Sequence, residues 1–370
     1  MKKLAFILAF CLLLTLPVCA DNNSISADCA AVMCADTGDM LYEKNADKRM
    51  LIASTTKIMT AIVVIENEPL DRAIIIKPEW SGVEGSSMYI KAGESYTVRE
   101  LLTGMMLSSG NDAAEALACA VSGDDVSFAA LMNAKAAELR LDNSSFRNPH
   151  GLDDEEHFST ARDMARLTAY CMENDAFREI VSQKSAVIKG IEYVNHNRLL
   201  REYPGCIGVK TGYTMAAGRT LVSCAERNGM RLICVTLNDP DDWNDHKKLL
   251  DDAFESYHIV SYDENNFKLE LPVASAVNDR VQASPRRSIK LLAGQDDDID
   301  IRLDAPRILF AGGIKGERVG SLSVFINGTL AAQTDLIYTD DVKIDKKQRK
   351  RLHERIFGSL GPYYANGEIK

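Results

Sequence analysis

Apolar positions divide the chain into segments of different period. Ala30 to Glu43 forms two short apolar runs around the polar cluster Asp36-Thr37-Gly38-Asp39, which predicts two strands joined by a turn. From Ser54 the spacing becomes helical, with Ile58, Met59, Ile62 and Ile65 on one face. Val98 to Leu107, Asp112 to Val121 and Asp125 to Leu139 predict three further helices. Another runs from Thr160 to Met172, with Ser159 and Thr160 as cap candidates and Asp163 in the first turn. Three consecutive strands follow at Ile207–Tyr213, Arg219–Ala225 and Arg231–Leu237, then a helix from Asn244 to Tyr257. A strand hairpin, a helical middle, three adjacent strands and a closing helix predict an α+β domain with an antiparallel sheet.

After about residue 260 the helical period disappears. Phe267–Val273, Ser288–Leu292, Ile299–Leu303, Arg318–Ile326 and Thr329–Tyr338 are short strand candidates, with an Asn327-Gly328 turn between the last two. This predicts a small all-β domain over residues 260–342, after a larger domain over 21–259. Asp296-Asp297-Asp298-Ile299-Asp300 lacks the Gly and terminal Glu of a calcium loop and reads as a solvated turn. The tail, 343–370, begins with Lys343, Lys346, Lys347, Arg349, Lys350, Arg351 and Arg355, a charge pattern suited to peripheral contact with anionic lipid.

The first twenty residues differ again. Lys2 and Lys3 precede the almost wholly apolar run Leu4–Leu16, Pro17 breaks it, and Val18 and Ala20 supply small residues before Asp21. That is the layout of a secretory signal peptide over residues 1–20. The run is too short for a bilayer core that needs roughly 20 apolar residues. The expected location is therefore extracytoplasmic. Seven cysteines remain beyond residue 20, an odd number at irregular spacing, which is no disulfide framework. Cys224 and Cys234 flank the hairpin signal Asn228-Gly229, but a two-residue turn pairs Arg227 with Met230 and leaves the two cysteines one register step apart. The net charge of −10 argues against a nucleic-acid-binding surface.

Three short motifs carry candidate chemistry. In Ser54-Thr55-Thr56-Lys57 the lysine falls one helical turn after the serine and can reach its hydroxyl. A serine hydroxyl needs such a base, and a lysine becomes one when burial and a second cation lower its pKa. By composition alone, this pattern arises by chance about once or twice in such a chain. Ser109-Gly110-Asn111 lies between two helical patterns, where a hydroxyl can relay a proton and an amide can hold a peptide bond. Lys210-Thr211-Gly212 follows Ile207-Gly208-Val209 on a predicted strand. There a lysine and a hydroxyl suit a terminal carboxylate, and Gly lets a substrate backbone approach.

Taken in order, these motifs match the signature of penicillin-binding proteins and serine β-lactamases. ASTTKIMTA (Ala53–Ala61), SSGNDAA (Ser108–Ala114), NPHGLD (Asn148–Asp153), FSTARD (Phe158–Asp163), NRLL (Asn197–Leu200) and GVKTGYT (Gly208–Thr214) narrow it further. The chain resembles the serine-type D-alanyl-D-alanine carboxypeptidases, the low-molecular-mass penicillin-binding proteins of the β-lactamase/transpeptidase-like superfamily. The resemblance covers residues 27–258, and more loosely 267–342. It implies Ser54 as nucleophile, Lys57 as general base and Ser109 as proton relay. Asn111, Lys210, Thr211 and Gly212 would bind substrate, and the Ser54 and Tyr213 amides would form the oxyanion hole. It implies peptidoglycan stem peptides ending in D-Ala-D-Ala as substrate, β-lactams as covalent inhibitors, and neither metal nor other cofactor.

Some positions stay open. Tyr213 stands where some members have histidine. A cation assisting carboxylate binding has no assigned counterpart, with Arg198 and His246 as candidates. A rival β-lactamase would need a Glu-x-x-Leu-Asn motif, which the stretch Glu138–Asn143 misses by one residue. A zinc peptidase would need ligands that His150 and His157 do not supply at any known spacing. His150 itself reads as structural or cleft-lining.

Overall fold

Strand β1 (Cys29–Cys34) is buried along its whole length, which is why CAAVMC shows no polar alternation. Its residues still alternate in space. Cys29, Ala31 and Met33 enter one core, and Ala30, Val32 and Cys34 enter another on the opposite face of the sheet. In this computed structural model, which describes residues 25–345, β1 lies inside a five-stranded antiparallel sheet. Its neighbours are β2 (Met40–Lys44) on one side and β9 (Met230–Leu237) on the other. Strands β8 (Gly218–Arg227) and β7 (Cys206–Thr214) complete the order β2-β1-β9-β8-β7, with β7 at an edge. The signal-peptide expectation and the tail from residue 346 lie outside the described residues.

One face of the sheet carries the helical part: α1 (Lys57–Asn67), α2 (Val98–Ser108), α3 (Asn111–Ser122), α4 (Asp125–Glu138), α5 (Ala161–Met172) and α6 (Asp175–Val181). Helix α5 packs directly on β1 and β9. The short α7 (Leu199–Glu202) precedes β7, and α8 (Asp242–Ser256) covers the other face with Leu249, Leu250 and Ala253. Caps set several helix starts. Thr97 and Glu100 form a reciprocal capping box on α2, and the Thr160 side chain accepts from the Asp163 amide at α5.

The helix expected from Ser54 begins differently. Residues 53–56 form a 3-10 turn, and the α-helix starts at Lys57. The tighter turn eclipses residues three apart, so Ser54 and Lys57 still meet. Two small antiparallel strand pairs were not legible in the apolar pattern: β3 (Ala73–Ile75) with β4 (Ser95–Thr97), and the hairpin of β5 (Ser185–Ile188) with β6 (Ile191–Val194).

The later region is all β. A strand β10 (Tyr257–Tyr262) leaves α8 directly and pairs with β13 (Ile289–Gly294). A six-stranded sheet has the order β14-β16-β17-β12-β11-β15, built from β11 (Leu269–Ala274), β12 (Arg280–Pro285), β14 (Ile299–Asp304), β15 (Leu309–Phe310), β16 (Arg318–Ile326) and β17 (Thr329–Tyr338). Val281 and Ala283 of β12, RVQASP, enter the core of this region, an alternation too short to mark a strand in the sequence. Asn327 and Gly328 have φ of 50° and 77°, the left-handed pair that a two-residue hairpin turn requires. In the acidic run, Asp297 accepts the Gly294 amide at 2.6 Å and the Asn327 side chain at 2.7 Å, which ties this turn to the β16–β17 hairpin.

The β8–β9 register places Cys224 opposite Ile233 and Cys234 opposite Ser223. The two thiols enter different cores across the sheet, and each is free.

Candidate active site

Three elements converge at the edge of β7. The 3-10 turn presents Ser54, the two-residue junction between α2 and α3 presents Ser109, and β7 presents Thr211, Gly212 and Tyr213. A cleft of about 290 Å³ is lined by Ser54, Ser109, Thr211, Gly212 and Tyr213, with Ser86, His196, Arg219, Asp242 and Trp243 around them. Lys57, Asn111 and Lys210 stand behind that surface, all buried.

Lys57 occupies the centre. Its Nζ donates to Ser54 Oγ at 2.9 Å, Asn111 Oδ1 at 2.7 Å and the His150 carbonyl at 2.7 Å. Three acceptors account for all three hydrogens of an ammonium, so deprotonation leaves one partner to donate back: the Ser54 hydroxyl. Burial, and then the charge of Lys210, hold the Lys57 pKa well below that of a free lysine, while Asp112 pulls the other way. Lys210 donates to Ser109 Oγ at 3.0 Å and to the Thr211 carbonyl at 2.8 Å, and burial pushes its pKa down to about 7.

Backbone geometry brings these groups close. Ser109 caps α2 in the left-handed conformation at φ 62°, which turns the chain sharply into α3. A β-carbon on Gly212 would lie 3.0 Å from the Ser54 amide nitrogen and 2.4 Å from Thr220 Oγ1, so a side chain there would push the strand off the serine turn. Gly151 is tighter still: at φ +88° its β-carbon would fall 1.9 Å from the Ala53 carbonyl oxygen. Gly151→Ala is therefore expected to cost at least about 2 kcal/mol, read as a lower thermal midpoint.

The Asn148–Asp153 loop is bound to α1 at several points. Thr60 Oγ1 donates to the Pro149 carbonyl at 2.6 Å, and Thr214 Oγ1 donates to Asp153 at 2.8 Å, which joins the loop to the end of β7. Thr56 Oγ1 meets His157 Nε2 at 2.7 Å, while the Arg147 amide donates to Nδ1. Burial lowers the His157 pKa to about 4, which keeps the ring neutral. His150 serves through its carbonyl, and its ring does not line the cleft.

Asn111 is almost fully engaged. Its carbonyl takes Lys57, and its amide donates to the Glu84 carbonyl at 2.5 Å, which leaves one amide hydrogen. The neighbouring Asp112 was missed by the motif reading. Its buried carboxylate accepts from Ser87 Oγ at 2.7 Å and from the Met88 and Ile90 amides at 2.8 and 3.1 Å, which fixes the cleft wall that carries Ser86.

The cationic candidates are placed differently in the structure. His246 is fully buried between Ser223 and Thr236, and Arg198 pairs with Glu202 beside Trp243. Arg219 instead lines the cleft. It stands opposite Tyr213 in the β7–β8 register and is held by Asp242 at 2.9 Å. Only the register could have shown this, because Arg219 sits outside every motif.

Comparisons with known proteins identify the family. A family profile described as D-alanyl-D-alanine carboxypeptidase matches residues 17–241. The chain is 32% identical over 336 residues to D-alanyl-D-alanine carboxypeptidase DacF of Bacillus subtilis, covering 86% of each. Among solved structures it is similar to penicillin binding protein 5 from Haemophilus influenzae, with a TM-score of 0.68 and 29% identity over 86% of this chain and 98% of that one. It is also similar to a mutant of the Streptomyces K15 DD-transpeptidase, with a TM-score of 0.61 and 35% identity over 62% of this chain and 98% of that one. On the extent of these matches, the chain belongs to the D-alanyl-D-alanine carboxypeptidase family of serine-type, penicillin-binding hydrolases.

Proposed function

We propose that the protein removes the terminal D-alanine from peptidoglycan pentapeptides through an acyl-enzyme on Ser54. The observation that carries this reading is Lys57: a fully buried lysine, suppressed in charge, 2.9 Å from the Ser54 hydroxyl.

In the proposed sequence, neutral Lys57 takes the Ser54 proton as Oγ attacks the carbonyl carbon of the penultimate D-alanine. The developing oxyanion is held by the Ser54 and Tyr213 amides. Collapse breaks the peptide C–N bond. The proton passes through Ser109, which contacts Lys210, to the departing amine, and D-alanine leaves. Water then attacks the ester and returns its proton, which regenerates Ser54. Thr211 and Lys210 hold the terminal carboxylate, with Arg219 supplying further positive charge, and the remaining Asn111 hydrogen binds the substrate amide. A β-lactam would follow the acylation half of this route and stay on Ser54.

The proposal extends to place. An exported enzyme meets this substrate outside the cytoplasm, and the basic residues from Lys343 onward suit contact with an anionic membrane surface. The reaction is tested by incubating purified protein with a pentapeptide ending in D-Ala-D-Ala. Stoichiometric release of one D-alanine per peptide is expected, and none from the same peptide ending in L-Ala-L-Ala. Release from both peptides, or from neither, would overturn the assignment.

A further inference from the structure

Strand β14 (Ile299–Asp304) ends the six-stranded sheet of the β region, with β16 on one side. Among the described residues no strand pairs with its other side, and no turn or loop backbone bonds to it. Its sequence, IDIRLD, alternates, so the strand has two different faces. Ile301 and Leu303 lie opposite Val324 and Leu322 and share their face, which points into the core. Val324 and Leu322 are fully buried, yet Ile301 and Leu303 are 40% and 44% exposed. The core is left open along this edge.

Natural sheets guard such an edge with charge, a proline, a bulge or a covering segment. Strand β14 has neither proline nor bulge, and its charges are of both signs. On the outer face the Arg302 guanidinium lies 4.1 Å from the centre of the Phe325 ring and donates to Asp300 at 2.8 Å. Charges of one sign would repel a second copy of the strand. Asp300 and Arg302 instead flank Ile301 symmetrically. When two such strands run antiparallel with Ile301 opposite Ile301, each Asp300 faces the other copy's Arg302, and each Ile299 faces a Leu303. Asp304 lies beyond this pairing. The register that joins the apolar residues is also the one that matches the charges.

We propose that β14 is the contact strand of a homodimer, in which two chains join their six-stranded sheets edge to edge about a two-fold axis at Ile301. Pairing satisfies the open backbone groups of both strands, and each copy covers the other's Ile301 and Leu303. Such a contact is small beside a standard interface, so association is reversible and depends on concentration. The contact lies outside the Ser54 cleft, none of whose lining residues belongs to β14.

Analytical ultracentrifugation of the purified protein across a range of concentrations tests the pairing, and a monomer–dimer equilibrium is expected. Asp300→Arg alone and Arg302→Asp alone each set like charges opposite one another at two places, and each should weaken dimerisation at least about tenfold. Mixed in equal amounts, the two single variants should form a heterodimer. One strand then carries only positive charge at these two positions, and the other only negative. The Asp300→Arg/Arg302→Asp double variant should dimerise like the wild type, with circular dichroism confirming that every variant is folded. A protein that is monomeric at every concentration, a dimer that neither reversal weakens, or single variants that fail to associate on mixing would overturn the proposal. So would a monomer whose β14 amides resist hydrogen exchange, because another segment, such as residues 346–370, would then hold this edge.

Discussion

Ser54→Ala is expected to abolish D-alanine release and covalent penicillin labelling together while leaving the fold intact. The hydroxyl supplies the bond-forming oxygen, and no neighbouring group lies in the same relation to Lys57. Loss of one member of such a unit removes most of its effect, so turnover should fall by about four orders of magnitude or more. The fold should survive because Ser54 Oγ makes no cap and its hydrogen bond is to Lys57. Thermal unfolding followed by circular dichroism, beside the peptide assay, separates lost chemistry from lost structure. A folded variant that still labels would remove Ser54 from its role.

The second large effect is expected at Lys57, and its signature is a pH profile. Because the lysine is the base only when neutral, wild-type acylation should fall as pH drops through its lowered pKa. The positive charge of Lys210 is lost as pH rises through about 7, which weakens carboxylate binding from the other side. The two together predict a bell-shaped kcat/KM for the peptide. Lys57→Ala should lower acylation by about 10²–10⁴-fold and erase the acid limb, because the group that titrates there is gone. An unchanged acid limb in a folded Lys57→Ala variant would assign the base elsewhere.

The motifs were legible because their chemistry is local. Ser54 and Lys57 are three residues apart, Ser109 and Asn111 share one junction, and Lys210 to Tyr213 share one strand. The antiparallel sheet was legible through its apolar runs, and the Asn228-Gly229 turn fixed the register that separates Cys224 from Cys234. What escaped depends on distant parts of the chain. Arg219 enters the cleft through its position opposite Tyr213, and Asp112 acts on Ser87, Met88 and Ile90, more than twenty residues away. His150 works through a carbonyl, which no side-chain pattern encodes. Strands β12 and β5 escaped because each is short: RVQASP alternates only through Val281 and Ala283, and SAVI is four residues in a two-stranded sheet.

The β-lactamase alternative finds no support in the stretch that came nearest to its motif. Glu138 lies at the end of α4, exposed, in an ion pair with Lys135 at 2.7 Å, rather than beside Ser54. Among the described residues lining the cleft, the carboxylate is Asp242, and Arg219 holds it. Deacylation of a penicilloyl ester is therefore expected to be slow, and the ester should accumulate. Intact-mass spectrometry after mixing the protein with penicillin, followed by peptide mapping, reads this directly. One stable penicilloyl adduct per chain, on the peptide that carries Ser54, is the predicted result. An adduct on another serine, or rapid penicillin consumption with no adduct at any time, would contradict it.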